Sequence, residues 1–455
     1  MKNLILGVIL CASELAVAED RPNVMVILCD DIGAHELALY GHPKHQTPHL
    51  DELGKSGIWF TTGYSTPICH PTRFQIMTGQ YAHHTGVYQF PGRPGGPPEN
   101  TGPDDISSHL TFGKIFQQAG YATAHAGKWQ LSGEHPQLIH ECGFDEYCMW
   151  AYKHNLPAGV RHTGAWEGKP GRKTARYWHP SIVRNGKYIE TDVNSYGPDI
   201  YSDFLLEFID RAGSQPFFVY YPMTLTHAPF HSTPDSTRDV KDRFRSDRDR
   251  QWQANVEYTD RIIGKLITGL ERMGKRSNTL VIFVGDNGTG GNGKGQTTEM
   301  GCRVPFIANG PGLVKPIGEC RELVDLSDIV PTICEVAGIS LPTNHTIDGK
   351  SFAGYLRGDL TPVREWIYAP LGGRRVLRTK RWLLENNAPG NFGQLFDCGS
   401  SRDGMGYRNV TDSRDPVVLA AREQLRLILS DKPVPDVSKR PPKQKRRTNA
   451  ASSRQ

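Results

Sequence analysis

The strongest constraint on this chain is a pair of apolar runs that both finish in oxygen ligands. Asn23-Val24-Met25-Val26-Ile27-Leu28-Cys29 leads straight into Asp30-Asp31, and Thr279-Leu280-Val281-Ile282-Phe283-Val284 leads into Gly285-Asp286-Asn287-Gly288. Runs without polar alternation read as parallel strands covered on both faces. A third, Pro216-Phe217-Phe218-Val219-Tyr220-Tyr221, joins them. A single run of this kind reads as leading into a solvated turn, with Asp31 capping a helix. Two of them predict a shared site, because open α/β sheets place ligands at the carboxyl ends of their strands. Three carboxylates and an amide oxygen suit a hard cation, Ca2+ or Mg2+, and leave a place for a substrate oxygen. The fold class that follows is α/β, with a large central, mostly parallel (mixed) sheet sandwiched by helices.

At 455 residues the chain is long enough for one large domain or two to three ordinary ones. Its 48 Gly and 32 Pro predict many turns and long loops, which suits an enzyme whose site is built on connections. The net charge of +5 is mild and concentrated in the tail, so it says little about the main body. Residues 1–18 combine a basic start at Lys2, an apolar run from Leu4 to Ala12 and the small-x-small end Ala16-Val17-Ala18. That is the composition of a cleaved secretion signal, and the run is too short to span a bilayer. With no later long apolar run, the expectation is a secreted or periplasmic protein with no membrane span. Export permits disulfides. Cys142 and Cys148 flank a short loop and are a candidate bridge, although spacing alone does not fix connectivity.

Pro67-Ile68-Cys69-His70-Pro71-Thr72-Arg73 brings together a thiol, two prolines and an arginine. Pro71 steers His70 towards extended geometry and predicts a rigid turn at Cys69. Thr72 is placed to cap a helix through Phe74-Gln75-Ile76-Met77, aiming a positive helix terminus at Cys69, with Arg73 as a fixed cation nearby. A lone cysteine is ordinarily a small buried apolar residue. In this setting it faces an anion-binding environment.

C-x-P-x-R followed by Met77-Thr78-Gly79-Gln80 resembles the maturation signature of type I, formylglycine-dependent sulfatases of the alkaline phosphatase superfamily. Their cysteine is oxidised to formylglycine by a dedicated generating enzyme, so the resemblance implies that partner and a converted Cys69. Thr72 stands where the family usually has Ser, and His70 where it has a small residue. The resemblance runs from about Pro22 to Gly358. It weakens from Pro91 to Asp105, a Pro- and Gly-rich loop, and from Met149 to Tyr196. It implies Ca2+ on Asp30, Asp31, Asp286 and Asn287 beside Cys69. Tyr121 to Lys128 reads as a strand ending in the Gly-Lys pair of the second family signature. An isolated lysine is usually just solvated, but this match implies a sulfate-facing Lys128. Gln130 replaces the family's usual His and cannot carry a proton at neutral pH.

Two further residues enter the same way. A lone His is more often structural, yet Thr226-His227-Ala228-Pro229 follows a central strand and shares the family's His-x-Pro, implying that His227 contacts sulfate and protonates the leaving alcohol. Lys294 to Pro305 is similar to the family's K-G-T-x-x-E-G-G-x-R-V-P segment, implying that Lys294 is the second sulfate lysine, with Gln296 and Met300 as departures. The implied mechanism has hydrated formylglycine attacking sulfur while the metal, Arg73, Lys128 and Lys294 offset the crowded negative charge. The second hydroxyl of the hydrate then expels sulfate.

Trp150 to Tyr201 is irregular and mixes aromatics with cations, including Arg176 and Trp178. These either hold a sulfated sugar, flat face to ring and charge to ester, or form a surface insertion with no ligand role. Helical spacing marks Thr111 to Ala119, stopped by Gly120, and Asp199 to Asp210. From about Thr361 short alternating stretches predict a small antiparallel sheet, then a helix from Pro416 to Ser430. The domain expectation is therefore a signal over 1–18, a catalytic α/β domain over 19–360, a small α+β subdomain over 361–431 and a basic disordered tail over 432–455. The function expected is hydrolysis of sulfate esters of a sulfated carbohydrate, with no nucleic acid as partner. Phosphoester or phosphonate hydrolysis within the same superfamily, and non-catalytic binding of sulfated glycans, stay open as alternatives.

Overall fold

The computed structural model describes residues 21–91, 93, 106–131, 137–151, 175–402 and 404–437. The expected signal, most of the Pro91–Asp105 loop, residues 152–174 and the basic segment beyond 437 lie outside the described residues. The large sheet holds eleven strands: β1 (Asn23–Cys29), β2 (Ile58–Tyr64), β3 (Ala122–Gly127), β4 (Glu146–Trp150), β5 (Ile182–Arg184), β6 (Lys187–Ile189), β7 (Phe217–Pro222), β8 (Thr279–Gly285), β9 (Arg303–Val304), β10 (Phe306–Asn309) and β11 (Gly318–Asp325). Their order is β11-β2-β10-β8-β1-β7-β3-β4-β5-β6, with β9 paired to β2. The centre is parallel, since β1 runs with β7 and β8, whereas β10 is antiparallel to both its neighbours. The expected mixed α/β sheet is therefore present.

Each central strand feeds two cores because successive side chains point to opposite faces. Val24, Val26 and Leu28 enter one core with Phe74, Phe112, Phe116 and Ile333, while Met25, Ile27 and Cys29 enter the other with Tyr201, Phe204, Ile262 and Leu266. Helices Cys69–Thr78, Phe112–Gln118 and Ile329–Val336 thus cover one face, and Gly197–Arg211 and Arg248–Arg272 the other. This two-sided burial is why the strands carry no polar alternation. It also removes the expected bridge. Cys142 packs in the first core and Cys148 in the second, so the sheet itself stands between them and no disulfide joins them.

The small antiparallel sheet follows as β12 (Trp366–Leu371), β13 (Arg374–Thr379), β14 (Trp382–Asn387), β15 (Gln394–Asp397) and β16 (Arg408–Asn409). Tyr368, Leu377, Leu384 and Leu395 pack on Val418, Ala421, Leu425 and Leu429 of helix Pro416–Ser430. The opposite face, Ile367, Ala369, Val376 and Leu383, meets Tyr64 and Leu323 of the large sheet and Cys302 at the end of the short helix Glu299–Cys302. The chain stays on this body past Ser430. Lys432 is buried with its ammonium over Trp366, and the Pro433 carbonyl accepts the Tyr88 hydroxyl.

Candidate active site

The site forms where β1 and β8 end side by side. Cys29 pairs with Gly285 in the parallel ladder, so Asp30-Asp31 and Asp286-Asn287 leave the sheet at the same level. Three bonds tie the two ends together: Asp286 N–H to Cys29 O (2.9 Å), Asp31 N–H to Asp286 Oδ1 (2.9 Å), and Asn287 Nδ2 to Asp31 Oδ1 (3.0 Å). Asp31 takes a left-handed backbone, φ 65°, which aspartate tolerates better than most residues and which turns its carboxylate back over the sheet.

Cys69 opens its helix, and Thr72 does not cap it. Ile68 is the extended residue before the helix, and the Thr72 N–H already donates to Ile68 O. Pro71 therefore falls in the first turn, where the absence of an N–H costs nothing, and His70 is helical instead of extended. The His70 ring is buried, with Nδ1 3.0 Å from the Gln130 carbonyl. The Cys69 sulfur and carboxylate oxygens of Asp30 and Asp286 lie within 4.8 Å of one another. The Pro67 carbonyl accepts the Gly295 N–H (2.6 Å), which fixes the Lys294 loop to the Cys69 turn.

Four cations converge on the carboxylates. Arg73 donates from Nη2 to Asp286 Oδ2 (3.0 Å) and from Nη1 to the Lys128 carbonyl (2.8 Å). Lys128 Nζ bonds both oxygens of Asp30 (2.8 and 2.6 Å), and Lys294 Nζ both oxygens of Asp31 (2.6 and 2.8 Å). Arg176 lies over the Trp150 ring at 4.3 Å and brings Nη1 to 3.6 Å from Asp30 Oδ2 without a hydrogen bond. His227 Nε2 is 3.6 Å from Asp31 Oδ2, while Nδ1 lies 2.7 Å from the Ala228 carbonyl, which assigns the neutral ring's proton to Nδ1. Tyr177 supports that loop by donating its hydroxyl to the Thr224 and His227 carbonyls. Of the residues singled out in the sequence, Trp178 is the one not brought here. It is 3 % exposed, its indole N–H is spent on the Ser232 carbonyl and Arg243 covers its ring.

Burial divides the protons unevenly. It acts to raise the Asp30 carboxyl, but Lys128, His227, Arg73 and Lys294 together hold it well below the usual range. Asp31 is likewise lowered against burial by His227 and Lys294. Burial and the charge of Asp30 push Asp286 up to about 8. Burial also raises the Cys69 thiol, lowers Lys128 and, with Arg176, pushes His227 down to about 3.

The donor set fits a hard divalent cation. Its groups are carboxylates and an amide, and Asn287 Oδ1 is buried without a hydrogen bond while its Nδ2 is doubly used, on Asp31 and on the Gly288 carbonyl. Residues that periodicity and motifs did not single out support this frame. Thr289 accepts the Gly33 N–H and donates to Glu36, tying the loop after β8 to the loop after β1.

Residues 22–339 match the family model Sulfatase. The chain is 32% identical over 385 residues to N-acetylgalactosamine-6-sulfatase of Sus scrofa, covering 78% of this chain and 70% of that protein. It is 28% identical over 396 residues to an arylsulfatase of Hemicentrotus pulcherrimus, covering 80% and 67%. Among solved structures it superposes on Ps i-CgsB, solved also with k-i-k-neocarrahexaose, at TM-score 0.73 and 25% identity over 90% of this chain and 92% of that one. It shares its fold with PsFucS1 sulfatase from Pseudoalteromonas sp. at TM-score 0.71 and 22% identity, covering 92% and 93%. A match that spans both carboxylate-ended strands, and everything between them, makes this chain a member of the sulfatase family, a sulfuric ester hydrolase.

Proposed function

We propose that the protein hydrolyses sulfate esters of a sulfated carbohydrate, with Cys69 converted to formylglycine and Ca2+ held by Asp30, Asp31, Asp286 and Asn287. The observation that carries this reading is the charge census around Cys69. Arg73, Lys128, Arg176 and Lys294 face three carboxylates in a buried site, so the pocket favours an anion even before a divalent ion is added. A thiol raised by burial is a poor nucleophile near neutral pH, which supports a converted side chain at 69. Formylglycine formed at position 69 would supply an oxygen nucleophile that can be regenerated, and a Ca2+ held by the four ligands would supply positive charge at the sulfuryl group. Cys69 is fully buried in the folded chain, so a formylglycine-generating enzyme would have to reach it before folding is complete. Export under the signal-like residues 1–18 belongs to the same reading. Among the described residues no helix is long and apolar enough to cross a membrane.

The chain's own groups divide the remaining work. Lys128 and Lys294 hold their ammoniums on four-carbon stems and can pass from Asp30 and Asp31 to the sulfuryl oxygens of an arriving ester. Arg73 is locked between Asp286 and the Lys128 carbonyl and keeps the carboxylate frame in place. His227 is anchored through Nδ1, so Nε2 is the atom that meets substrate. The negative charge of a bound ester favours a proton there, and that proton goes to the leaving alcohol oxygen as the S–O bond breaks. Arg176 on Trp150 offers a flat cationic edge beside Asp30. The carbohydrate class is supported by a relative named for N-acetylgalactosamine 6-sulfate and by the oligosaccharide held in Ps i-CgsB.

Mass spectrometry of the tryptic peptide Ser56 to Arg73, from cells able to make formylglycine, should find an aldehyde or its hydrate at position 69. The same preparation should release sulfate from aryl sulfate and sulfated oligosaccharides, and lose turnover to a chelator in a way that Ca2+ restores. A thiol at 69 in fully active protein, or faster turnover of aryl phosphate than of aryl sulfate, overturns the reading.

A further inference from the structure

Lys294 sits on a loop with no regular structure of its own, between β8 and the short helix Glu299–Cys302. Its near end is tied by Gly295 N–H to Pro67 O. Its far end is held by the small sheet. Asn386 donates its backbone N–H to the Thr297 carbonyl (3.0 Å), Asn386 Oδ1 accepts the Thr297 hydroxyl (2.6 Å), and Glu385 accepts the Glu299 N–H (2.6 Å). Thr297 and Glu299 are buried, so these bonds are not exchanged with water at low cost.

The strand that makes these contacts is built irregularly at that point. The β13–β14 register slips between Arg375 and Leu377, opposite Glu385–Asn386, and Asn386 takes a left-handed φ of 55°. A bulge of this kind re-aims side chains out of a ladder, and a non-glycine residue there is retained where its side chain is used. Around it, Arg375 grips Asn387, while Glu299 accepts the hydroxyls of Tyr64 from the large sheet and of Tyr407, the residue before β16.

We propose that Glu385 and Asn386 are positioning residues for Lys294, so that the small sheet is part of the machinery that presents the second lysine to the sulfuryl group. This rests on the sulfatase reading for its kinetic consequence but not for its structural one. Asn386→Gly keeps the left-handed backbone and removes the amide acceptor. It should cut kcat/KM on a sulfate ester about 10- to 100-fold, as small displacements of a catalytic group do. Asn386→Asp, which keeps the acceptor, should recover most of the loss. In a Lys294→Ala background the Asn386→Gly loss should shrink to less than about 3-fold, because the two residues act through one interaction. Thr297→Val, which deletes the hydroxyl at constant shape, should follow Asn386→Gly. Amide exchange over residues 289–301 should rise in Asn386→Gly and not in Arg408→Ala, a change at the exposed edge of the same sheet. An undiminished loss in the Lys294→Ala background overturns the proposal, and so does unchanged exchange over 289–301. Should the wild type turn over no sulfate ester, the functional reading fails, and the exchange comparison still decides whether the clamp exists.

Discussion

Two strands of the large sheet end in buried aspartate pairs, and the difference between them separates a candidate active site from a structural joint. After β11, Asp325 accepts Tyr81 Oη (2.7 Å), Ser327 N–H (2.9 Å) and Arg364 Nη1 (3.1 Å). Asp328 accepts the N–H groups of Asp325 (2.9 Å) and Lys350 (2.6 Å) and the other Nη of Arg364. Backbone donors that cannot swing away occupy this pair, together with an arginine fork that spans both carboxylates. After β1 Asp30 and Asp31 each hold a lysine on a flexible stem, Asp31 with Asn287 Nδ2 as a further donor, and Asn287 Oδ1 and Arg176 Nη1 make no hydrogen bond. Buried charge is common to both places. Buried atoms without a hydrogen bond occur at both as well, since Arg364 Nε and Gln75 Oε1 have none, so what sets the β1 site apart is a set of carboxylate partners able to transfer to a ligand.

Asp286→Asn should lower kcat/KM by about 10³-fold, the scale of losing a preorganised charge at a reacting centre. In chelator it should cost less stability than a core lesion. Burial and Asp30 push the Asp286 carboxyl up to about 8, so ionising it costs the native state, and the amide removes that cost while giving up one of the two oxygens that accept from Asp31 N–H and Arg73 Nη2. A fall in thermal midpoint equal to that of a core lesion would mean that Asp286 is structural after all. Arg364→Ala should behave in the opposite way. It strands two buried carboxylates, a change worth about 3–5 kcal/mol of stability, while the folded fraction keeps kcat/KM within about 3-fold, since the Arg364 guanidinium is bonded to Tyr81, Asp325, Asp328 and the Trp366 carbonyl and not to the carboxylates after β1 and β8. Urea unfolding alongside turnover per folded molecule checks both variants.

Which parts are legible in the sequence follows from how local each signal is. Unbroken apolar runs are written in consecutive residues, so β1, β7 and β8 and the meeting of Asp30-Asp31 with Asp286-Asn287 can be read directly. Motif residues that reach the carboxylates, Arg73, Lys128, His227 and Lys294, carry fixed neighbours that point to them. Composition alone draws in Trp178, and composition does not say which way a ring faces. Its neighbour Arg176 does reach Asp30. The Cys142–Cys148 pairing fails because a short loop says nothing about which side of a sheet each thiol enters. Thr72 resembles a cap because a β-hydroxyl in front of an apolar stretch usually is one, whereas Pro71 is acceptable inside a first turn and lets the helix start at Cys69. Glu385 and Asn386 have no readable signal, since their contacts depend on how the small sheet docks.

A weaker pH response belongs to a third buried carboxylate, Glu385, which has neither a lysine nor an arginine fork among the described residues. Burial and the charge of Glu299 push Glu385 up to about 7, above the value near 4.3 expected for an unfolded chain. Between those two values the native state keeps a proton that the unfolded state has released. Stability from this group is therefore fully present below about pH 4.3 and is lost as pH rises through about 7. The amide introduced by Glu385→Gln cannot titrate, yet it still offers an oxygen to the Glu299 N–H. Thermal midpoints of wild type and Glu385→Gln should converge at low pH and separate on the way from pH 5 to 8, with the wild type falling further by about 2 °C or more. Titrating groups not coupled to Glu385 contribute to both proteins and cancel in the difference. Parallel curves across that window would mean that Glu385 is ionised throughout and that the small sheet grips the Lys294 loop through a charged hydrogen bond.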